Sequence, residues 1–260
     1  MKIEQTDVDR MEIGSLKEED YRKRMIVALD VKNQTEAVEL ISRFEGQLRY
    51  VKVGMELFYA TGYPLIEKLK KQGLNIFLDL KMHDIPNTVG KTAAQLTRLE
   101  IDMFNLHIAG GMKMMEAARN QMENTLAVGQ KRPLLIGVTQ LTSTDQSMLQ
   151  NEIGIPSTVE ESVLHYSKLA QLAGLDGVVS SPLEVKKIKA QSGLSFLTVT
   201  PGIRLVKGLT HDQKRVTTPE KAFQLGADYI VIGRAVTEAE NPAKVFATII
   251  KRLKGRKDRY

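Results

Sequence analysis

The chain alternates eight times between a short run rich in β-branched residues and a longer stretch with helical periodicity. The apolar runs predict strands, and the stretches in which apolar residues recur every three to four positions predict helices. The predicted strands cover residues 25–31, 50–57, 75–82, 103–108, 134–141, 177–180, 196–200 and 229–232. The predicted helices cover about 34–45, 63–72, 87–99, 111–124, 158–173, 182–191, 218–226 and 242–254.

Strands that are apolar throughout are buried on both faces, which is typical of parallel sheets. Eight strand-helix units in about 235 residues match a (β/α)8 TIM barrel. We therefore expect an α/β protein with one catalytic domain over residues 24–254, flanked by a polar N-terminal extension (1–23) and a basic C-terminal tail (255–260). The alternative is a doubly wound open sheet, but the first turn, 30–33, has no glycine-rich dinucleotide loop.

Polar residues follow nearly every predicted strand. Enzymes with a TIM barrel build their sites from the loops at the C-terminal ends of the strands, so we expect a site there. Each residue alone is weak evidence for a functional site, because loops are usually polar, but together the residues form a coherent set. These residues are Asp30, Lys52, Asp79, Lys81, His107, 139–142, Ser180, Ser181, 200–204, Gly233 and Arg234.

The third predicted strand ends in an unusual arrangement of charges, in the segment 78–84. Successive side chains of a strand point to opposite faces, so Asp79 and Lys81 share one face. Asp84 follows the strand end, where its carboxylate could return to the same ammonium group or reach a neighbouring subunit. An ammonium group between two carboxylates is held in its charged form, which suits a fixed cation and proton donor. The alternative is a surface cluster of salt bridges.

The last two units predict an anion site. Glycine lets the backbone approach a ligand, the start of a helix offers free N–H groups, and arginine matches phosphate oxygens. The segment 200–204 ends in an arginine, and Gly233 with Arg234 joins the last strand to a helical turn. The polar loop 205–218 is long enough to act as a lid, and its Gln213 could donate to and accept from an amide or pyrimidine edge. The alternative for Gly233 is a tight turn without a ligand.

Two histidines near these strand ends have competing interpretations. His107 ends an apolar strand, and we interpret it as a hydrogen-bonded structural residue rather than a general base. His83 could form a metal site with Asp79 and Asp84, but Lys81 competes for those carboxylates and repels a cation. We therefore expect no metal site.

The composition argues against nucleic-acid binding, membrane contact and thiolate chemistry. Most of the net charge of +6 lies in residues 251–260, which carry six basic side chains and one acidic one. We interpret this segment as a solvated helix end and expect no nucleic-acid binding. The chain has no long apolar run and no leader peptide, which predicts a soluble, cytoplasmic protein without membrane contact. The absence of cysteine excludes disulfides and thiolate chemistry.

The sequence resembles the bacterial orotidine 5′-phosphate decarboxylases over about residues 25–253. The ten residues that begin at Asp79 are the most specific part of the resemblance. The matching segments are Val27-Ala28-Leu29-Asp30, Val51-Lys52-Val53-Gly54, Asp79-Leu80-Lys81-Met82-His83-Asp84-Ile85-Pro86-Asn87-Thr88, Thr200-Pro201-Gly202-Ile203-Arg204 and Val231-Ile232-Gly233-Arg234.

The resemblance implies a homodimeric enzyme that converts orotidine 5′-monophosphate to uridine 5′-monophosphate, the last step of de novo pyrimidine synthesis, without metal or cofactor. It also implies that Lys81 protonates C6, that Asp79 lies at the scissile carboxylate, and that the partner subunit's Asp84 completes the site. The residues implied to bind substrate are Asp30 and Lys52 at the ribose, Thr142 at the pyrimidine, Gln213 between base and phosphate, Arg204, Gly233 and Arg234 at the phosphate, and Ile85, Thr88 and Pro201 without a more specific role.

Two alternative functions remain open. A related group of sugar-phosphate decarboxylases and aldolases resembles this family in its barrel and its D-x-K-x-x-D segment but works through Mg²⁺. That group places a metal-ligating glutamate at the end of the second strand, where this chain has Lys52. A non-catalytic nucleotide-binding or RNA-binding protein is the other alternative, and it would need no charged lysine between carboxylates.

Overall fold

The computed structural model describes residues 16–205 and 217–255. Eight parallel strands form one closed barrel in chain order, and the last strand pairs with the first. The predicted (β/α)8 barrel is therefore confirmed, and the open sheet is excluded. The strands are β1 (Met25–Ala28), β2 (Tyr50–Gly54), β3 (Asn75–Met82), β4 (Met103–His107), β5 (Leu134–Val138), β6 (Gly177–Val179), β7 (Leu197–Thr200) and β8 (Tyr229–Ile232).

Helices connect the strands and cover the outside of the barrel. Asn33, Thr158 and Asn241 each precede a helix and accept a hydrogen bond from a backbone N–H of its first turn, which fixes where these helices begin. The helices are α1 (Glu18–Arg24), α2 (Gln34–Ser42), α3 (Met55–Thr61), α4 (Tyr63–Lys71), α5 (Pro86–Arg98), α6 (Met112–Thr125), α7 (Val159–Leu172), α8 (Val185–Ser192), α9 (Pro219–Gln224), α10 (Arg234–Thr237) and α11 (Pro242–Lys254).

Alternate residues of the strands point into the barrel, and the residues between them pack against the helices. Two positions beyond the apolar interior, the inward side chains become polar, as at Asp30, Lys52 and Asp79. The alternation of side chains along the strands thus places polar groups at the C-terminal end of the barrel, above an interior filled by apolar side chains. The buried cluster inside it consists of Ile26, Ala28, Tyr50, Phe77, Met103, Ile136, Val199 and Val231.

The predicted second strand is too long. It was expected to reach residue 57, but β2 ends at Gly54 and the helix α3 begins at Met55. Helix α3 is only seven residues long and mostly apolar, so its sequence does not show a helical period. The predicted strands 25–31 and 134–141 also extend past the ends of β1 and β5.

Part of the predicted N-terminal extension packs against the barrel. Leu16 and Tyr21 are buried, and the Tyr21 ring meets Phe223 edge to face with ring centroids 5.6 Å apart. The rest of the extension, most of the basic tail and most of the predicted lid lie outside the described residues. Among the helices of the described residues, none is long and apolar enough to cross a membrane.

Candidate active site

A cavity of about 520 Å³ opens at the C-terminal end of the barrel, a size suited to a small-molecule ligand. The structure brings most of the site residues predicted from the sequence together around this cavity. Those that line it are Asp30, Lys52, Asp79, Lys81, Thr142, Pro201, Arg204, Gly233 and Arg234.

Two carboxylates and two ammonium groups alternate along one wall of the cavity. Lys52 Nζ lies 3.0 Å from Asp30 Oδ1 and 3.5 Å from Asp79 Oδ2, and Lys81 Nζ lies 2.8 Å from Asp79 Oδ1. The side chains of Lys52 and Asp79 are only 12% and 13% exposed. The centre of this array is therefore largely buried, unlike the surface cluster of salt bridges that the sequence left open.

The array keeps its central groups ionised. Burial would lower the pKa of Lys52, but the carboxylates of Asp79 and Asp30 outweigh burial and raise it above its ordinary value. Burial would likewise raise the pKa of Asp79, yet Lys52, Lys81 and hydrogen bonds from Lys81 and Asn105 lower it below its ordinary value. The cavity thus presents fixed charges of both signs.

Lys81 leaves the regular strand conformation. Its φ is +52°, in the left-handed region, and the pairing of β3 with β4 shifts register between Leu78 and Met82. Asp79 and Lys81 share one cavity as predicted, but a bulge and not simple alternation aims the lysine. The backbone N–H of Lys81 donates to Asn105 Oδ1 at 2.8 Å.

Asn105 is a site residue that sequence reasoning missed. It lies on β4, is 1% exposed, and donates through Nδ2 to Asp79 Oδ1 at 2.7 Å. The only signal in the sequence was an asparagine flanked by apolar residues inside the run 103–108, and such a residue must find partners when it is buried.

Asp84 does not reach Lys81 within its own chain. Its Oδ1 accepts a hydrogen bond from the N–H of Ile85 at 2.6 Å, and Asp84, Ile85 and Thr88 are exposed outside the cavity wall. Among the described residues, the ammonium group between two carboxylates is that of Lys52, not that of Lys81. Of the two routes expected for Asp84, the return within one chain is therefore wrong.

Another part of the cavity wall offers groups for an anion. Gly202 has a φ of +81°, which glycine adopts without strain. Arg204 is 8% exposed, and its Nε and Nη2 have no hydrogen-bond partner within the described residues. Backbone hydrogen bonds between 202–204 and Thr217 close the base of the loop 206–216. Gln213 lies in that loop, outside the described residues.

The loop after β5 forms the rim between the charged wall and the anion side. Gln140, Leu141, Thr142 and Ser143 line the cavity there. Thr139 instead donates through Oγ1 to Val179 O at 2.8 Å, which is a structural contact between neighbouring strands.

The remaining strand-end residues divide between the cavity wall and structural contacts. Ser180 lines the cavity. Ser181 Oγ accepts a hydrogen bond from the N–H of Leu183, which holds the turn that leads to α8. The Ser181 hydroxyl is therefore used within the fold.

The two histidines lie beside the array. The ring centroids of His83 and His107 are 5.7 Å apart. Burial, with smaller contributions from His83 and Lys81, lowers the pKa of His107, and Asp79 opposes this shift. The described residues contain no group of three or more His, Asp or Glu side chains placed to hold a metal ion.

Comparison with known protein sequences gives extensive matches. Residues 23–249 match the orotidine 5′-phosphate decarboxylase / HUMPS family. The chain is 50% identical over 233 residues to an orotidine 5′-phosphate decarboxylase of Bacillus cytotoxicus, covering 90% of this chain and 98% of the relative. It is also 50% identical over 231 residues to one of Bacillus mycoides, covering 89% and 97%.

Solved structures match the same part of the chain. The orotidine 5′-phosphate decarboxylase of Lactobacillus acidophilus superposes with a TM-score of 0.80 at 40% identity, covering 90% of this chain and 100% of that one. An uncharacterized conserved protein of Geobacillus kaustophilus superposes with a TM-score of 0.79 at 44% identity, covering 89% and 100%.

Proposed function

The chain belongs to the orotidine 5′-phosphate decarboxylase / HUMPS family, and from this premise we propose that it decarboxylates orotidine 5′-monophosphate to uridine 5′-monophosphate in pyrimidine synthesis. The observation that carries the proposal is the alternation of Asp30, Lys52, Asp79 and Lys81 along the cavity wall, with Lys52 and Asp79 largely buried. It faces a side of the cavity where Arg204 offers a buried cation.

The substrate lies across the cavity between these two sides. Its phosphate binds Arg204 and the start of α10 at Gly233 and Arg234, where backbone N–H groups and guanidinium groups suit a doubly charged anion. Gln213 lies outside the described residues, and its contact with base and phosphate stays a prediction from the sequence. Its ribose hydroxyls bind Asp30, the most exposed member of the array.

The base then lies near the centre of the cavity. Lys52 joins Asp30 in binding the ribose, Thr142 and Pro201 contact the pyrimidine, and the carboxylate at C6 points toward Asp79. The support for this arrangement is that all five residues line the same cavity.

Lys81 performs the central chemical role. When the bond between C6 and the carboxylate breaks, carbon dioxide leaves and the electron pair stays on C6, where no adjacent carbonyl can take it directly. The Lys81 ammonium stabilises this charge where it develops and then gives a proton to C6. Solvent restores the lysine proton after product release. Asp79 holds the ammonium in place and repels the substrate carboxylate, which raises the energy of the bound ground state.

The reaction uses no metal and no cofactor. In the metal-dependent relatives a glutamate at the end of the second strand binds Mg²⁺, whereas here β2 presents Lys52. Its ammonium pairs with both neighbouring carboxylates and repels a second cation from the same place.

The active form is a homodimer in which the partner subunit's Asp84 completes the site. Asp84, Ile85 and Thr88 follow β3 at the rim, and Ile85 is 67% exposed. Met55 and Tyr59 on α3, which follows the neighbouring strand β2, are 44% and 77% exposed. A second copy of the chain would cover this apolar part of the rim. Action in the cytoplasm stays a prediction.

The test is to follow the absorbance of orotidine 5′-monophosphate with purified protein in excess EDTA, with and without added Mg²⁺. We expect the substrate to be consumed and uridine 5′-monophosphate to appear at the same rate in both conditions. A protein that is inactive in EDTA and restored by Mg²⁺ would belong with the metal-dependent relatives. A protein inactive in both conditions would contradict the proposal.

A further inference from the structure

Asn105 lies directly beside the charged array. On β4 it shares the inward face of Met103 and His107, each two positions away, and it is 1% exposed. It is not among the residues that line the cavity, so the substrate does not meet it directly.

The Asn105 side chain compensates for the break in strand pairing at Lys81. Where β3 shifts register, the backbone N–H of Lys81 makes its hydrogen bond with Asn105 Oδ1, at 2.8 Å. The other non-glycine residues with positive φ among those described, Glu45 and Glu100, lie in turns after helices. At Lys81 the left-handed conformation occurs inside a strand, where it needs support from its surroundings.

The same amide also fixes the neighbouring carboxylate. Asn105 Nδ2 donates to Asp79 Oδ1 at 2.7 Å, and this oxygen also accepts from Lys81 Nζ at 2.8 Å. The two bonds define the orientation of the amide, because its oxygen faces a donor and its nitrogen faces an acceptor. One buried side chain thus contacts both members of the reactive pair.

We propose that Asn105 is a positioning residue that holds the Lys81 ammonium and the Asp79 carboxylate as one preorganised unit. This inference rests on the proposed decarboxylation. Its acceptor fixes the backbone from which Lys81 extends, and its donor fixes the carboxylate against which the ammonium rests. Both groups are therefore in place before the carbanion forms, which is when their positions affect the rate.

The test compares Asn105→Ala and Asn105→Asp with the wild-type enzyme. The alanine variant loses both hydrogen bonds, and the aspartate variant keeps an acceptor for Lys81 but brings a second carboxylate to Asp79. We expect kcat to fall roughly 10- to 100-fold in both, while KM and the Kd of uridine 5′-monophosphate stay within about threefold.

The pH profile separates positioning from a purely structural role. The amide donor helps to lower the pKa of Asp79, so its removal should move the acid limb of kcat/KM to higher pH, and further for Asn105→Asp than for Asn105→Ala. A variant that had merely lost part of its folded population would keep the wild-type profile at reduced amplitude.

Gln130 provides a matched control at the other end of the barrel. Its side chain also makes two hydrogen bonds, accepting from Ala127 N at 3.0 Å and donating to Thr97 O at 2.6 Å. Gln130→Ala should lower the melting temperature and leave kcat and the pH profile unchanged.

Three results would overturn the inference while wild-type decarboxylation stands. These are a kcat within about threefold of wild type in both Asn105 variants, an unshifted acid limb, or a rise in KM with kcat unchanged, which would indicate substrate binding. An inactive wild-type protein would instead refute the proposed function itself.

Discussion

The charges of the site converge on Asp79. Its Oδ1 lies 2.8 Å from Lys81 Nζ and 2.7 Å from Asn105 Nδ2, and its Oδ2 lies 3.5 Å from Lys52 Nζ. With Asp30 included, two carboxylates and two ammonium groups balance each other. A substrate carboxylate placed against Asp79 adds an unbalanced negative charge, and when carbon dioxide leaves, this charge moves away from Asp79 to C6, where the Lys81 ammonium meets it.

Only part of this residue-scale geometry could be predicted from the sequence. The period of a strand predicted that Asp79 and Lys81 share one cavity, although it is a bulge that aims the lysine there. The left-handed conformation of Lys81 depends on its contact with Asn105, 24 positions away on the next strand, which no local pattern encodes. The sequence also did not predict that Asp84 lies outside the cavity, because it was compatible both with a contact to Lys81 in the same chain and with a contact to a neighbouring subunit.

His107 should make stability depend on pH. Its pKa in the folded protein is lowered below the ordinary value of 6.5. As pH falls below about 6.5, the unfolded state therefore takes up more protons at this site than the folded state. Stability should be fully present above pH 6.5 and decrease as pH falls toward the folded-state pKa.

The measurement is the urea midpoint between pH 8 and pH 5. His107→Asn should lose less stability over this range than the wild type. His165→Asn, a change at an exposed histidine on α7, should follow the wild-type curve. Parallel curves for wild type and His107→Asn would show that His107 does not cause the pH dependence.

At the scale of elements, three aspartates tie pairs of strands at the N-terminal end of the barrel. Asp102, Asp176 and Asp228 stand just before β4, β6 and β8, and each accepts the N–H of a residue on the preceding strand at 2.7 to 2.9 Å. Each also pairs with a cation. This end of the barrel therefore serves stability, as the opposite end serves the site.

Asp228→Asn should destabilise the fold without harming the chemistry. Asp228 Oδ2 lies 2.6 Å from Lys189 Nζ, and the Lys189 side chain is only 7% exposed. Neutralising the aspartate leaves the buried ammonium with two backbone carbonyl acceptors but no carboxylate, at a cost of roughly 2–3 kcal/mol of unfolding free energy.

Denaturant unfolding gives that difference directly. Glu160→Gln is the control, since its ion pair with Lys187 is about half exposed and should contribute no more than about 0.5 kcal/mol. Equal losses in the two variants would contradict a special role for the buried pair.

The elements themselves were largely predictable, and the errors have a common cause. Eight strand-helix units were recognised because most helices span several turns and show a clear period. Helix α3 was merged with β2 because seven residues that begin with Met55 offer no period to recognise. Short elements at strand ends, where the site is built, are the least visible in a sequence.

Closure of the barrel brings distant parts of the chain together. Strands β1 and β8 pair directly, so Asp30 and Gly233 are neighbours, and an atom at the Cβ position of Gly233 would lie 3.7 Å from Asp30 Oδ2. The proposed ribose and phosphate sites therefore adjoin each other. A closed barrel predicts this proximity, because its first and last strands are neighbours.

Two inactive variants should restore activity when they share a dimer. Lys81→Ala and Asp84→Ala are each expected to be impaired alone. In a mixed dimer with two-fold symmetry, one site combines an intact Lys81 with the partner subunit's Asp84, and the other site lacks both. Random exchange makes half of the dimers mixed, so about a quarter of wild-type activity should return.

Subunit exchange must be verified independently, by mixing tagged and untagged chains and isolating the mixed dimer. Verified exchange that restores no activity would show that Asp84 does not act across the interface.

The most direct test of the whole account is kcat of Lys81→Ala, measured together with its Kd for uridine 5′-monophosphate. The exposed Lys113→Ala serves as the control. Since Lys81 meets a charge that exists only as the carbanion forms, kcat should fall at least about a thousandfold while the Kd stays within about threefold. Retention of more than about a tenth of wild-type kcat, a loss below ~1.4 kcal/mol, would contradict the assignment of Lys81 as the stabilising cation and proton donor.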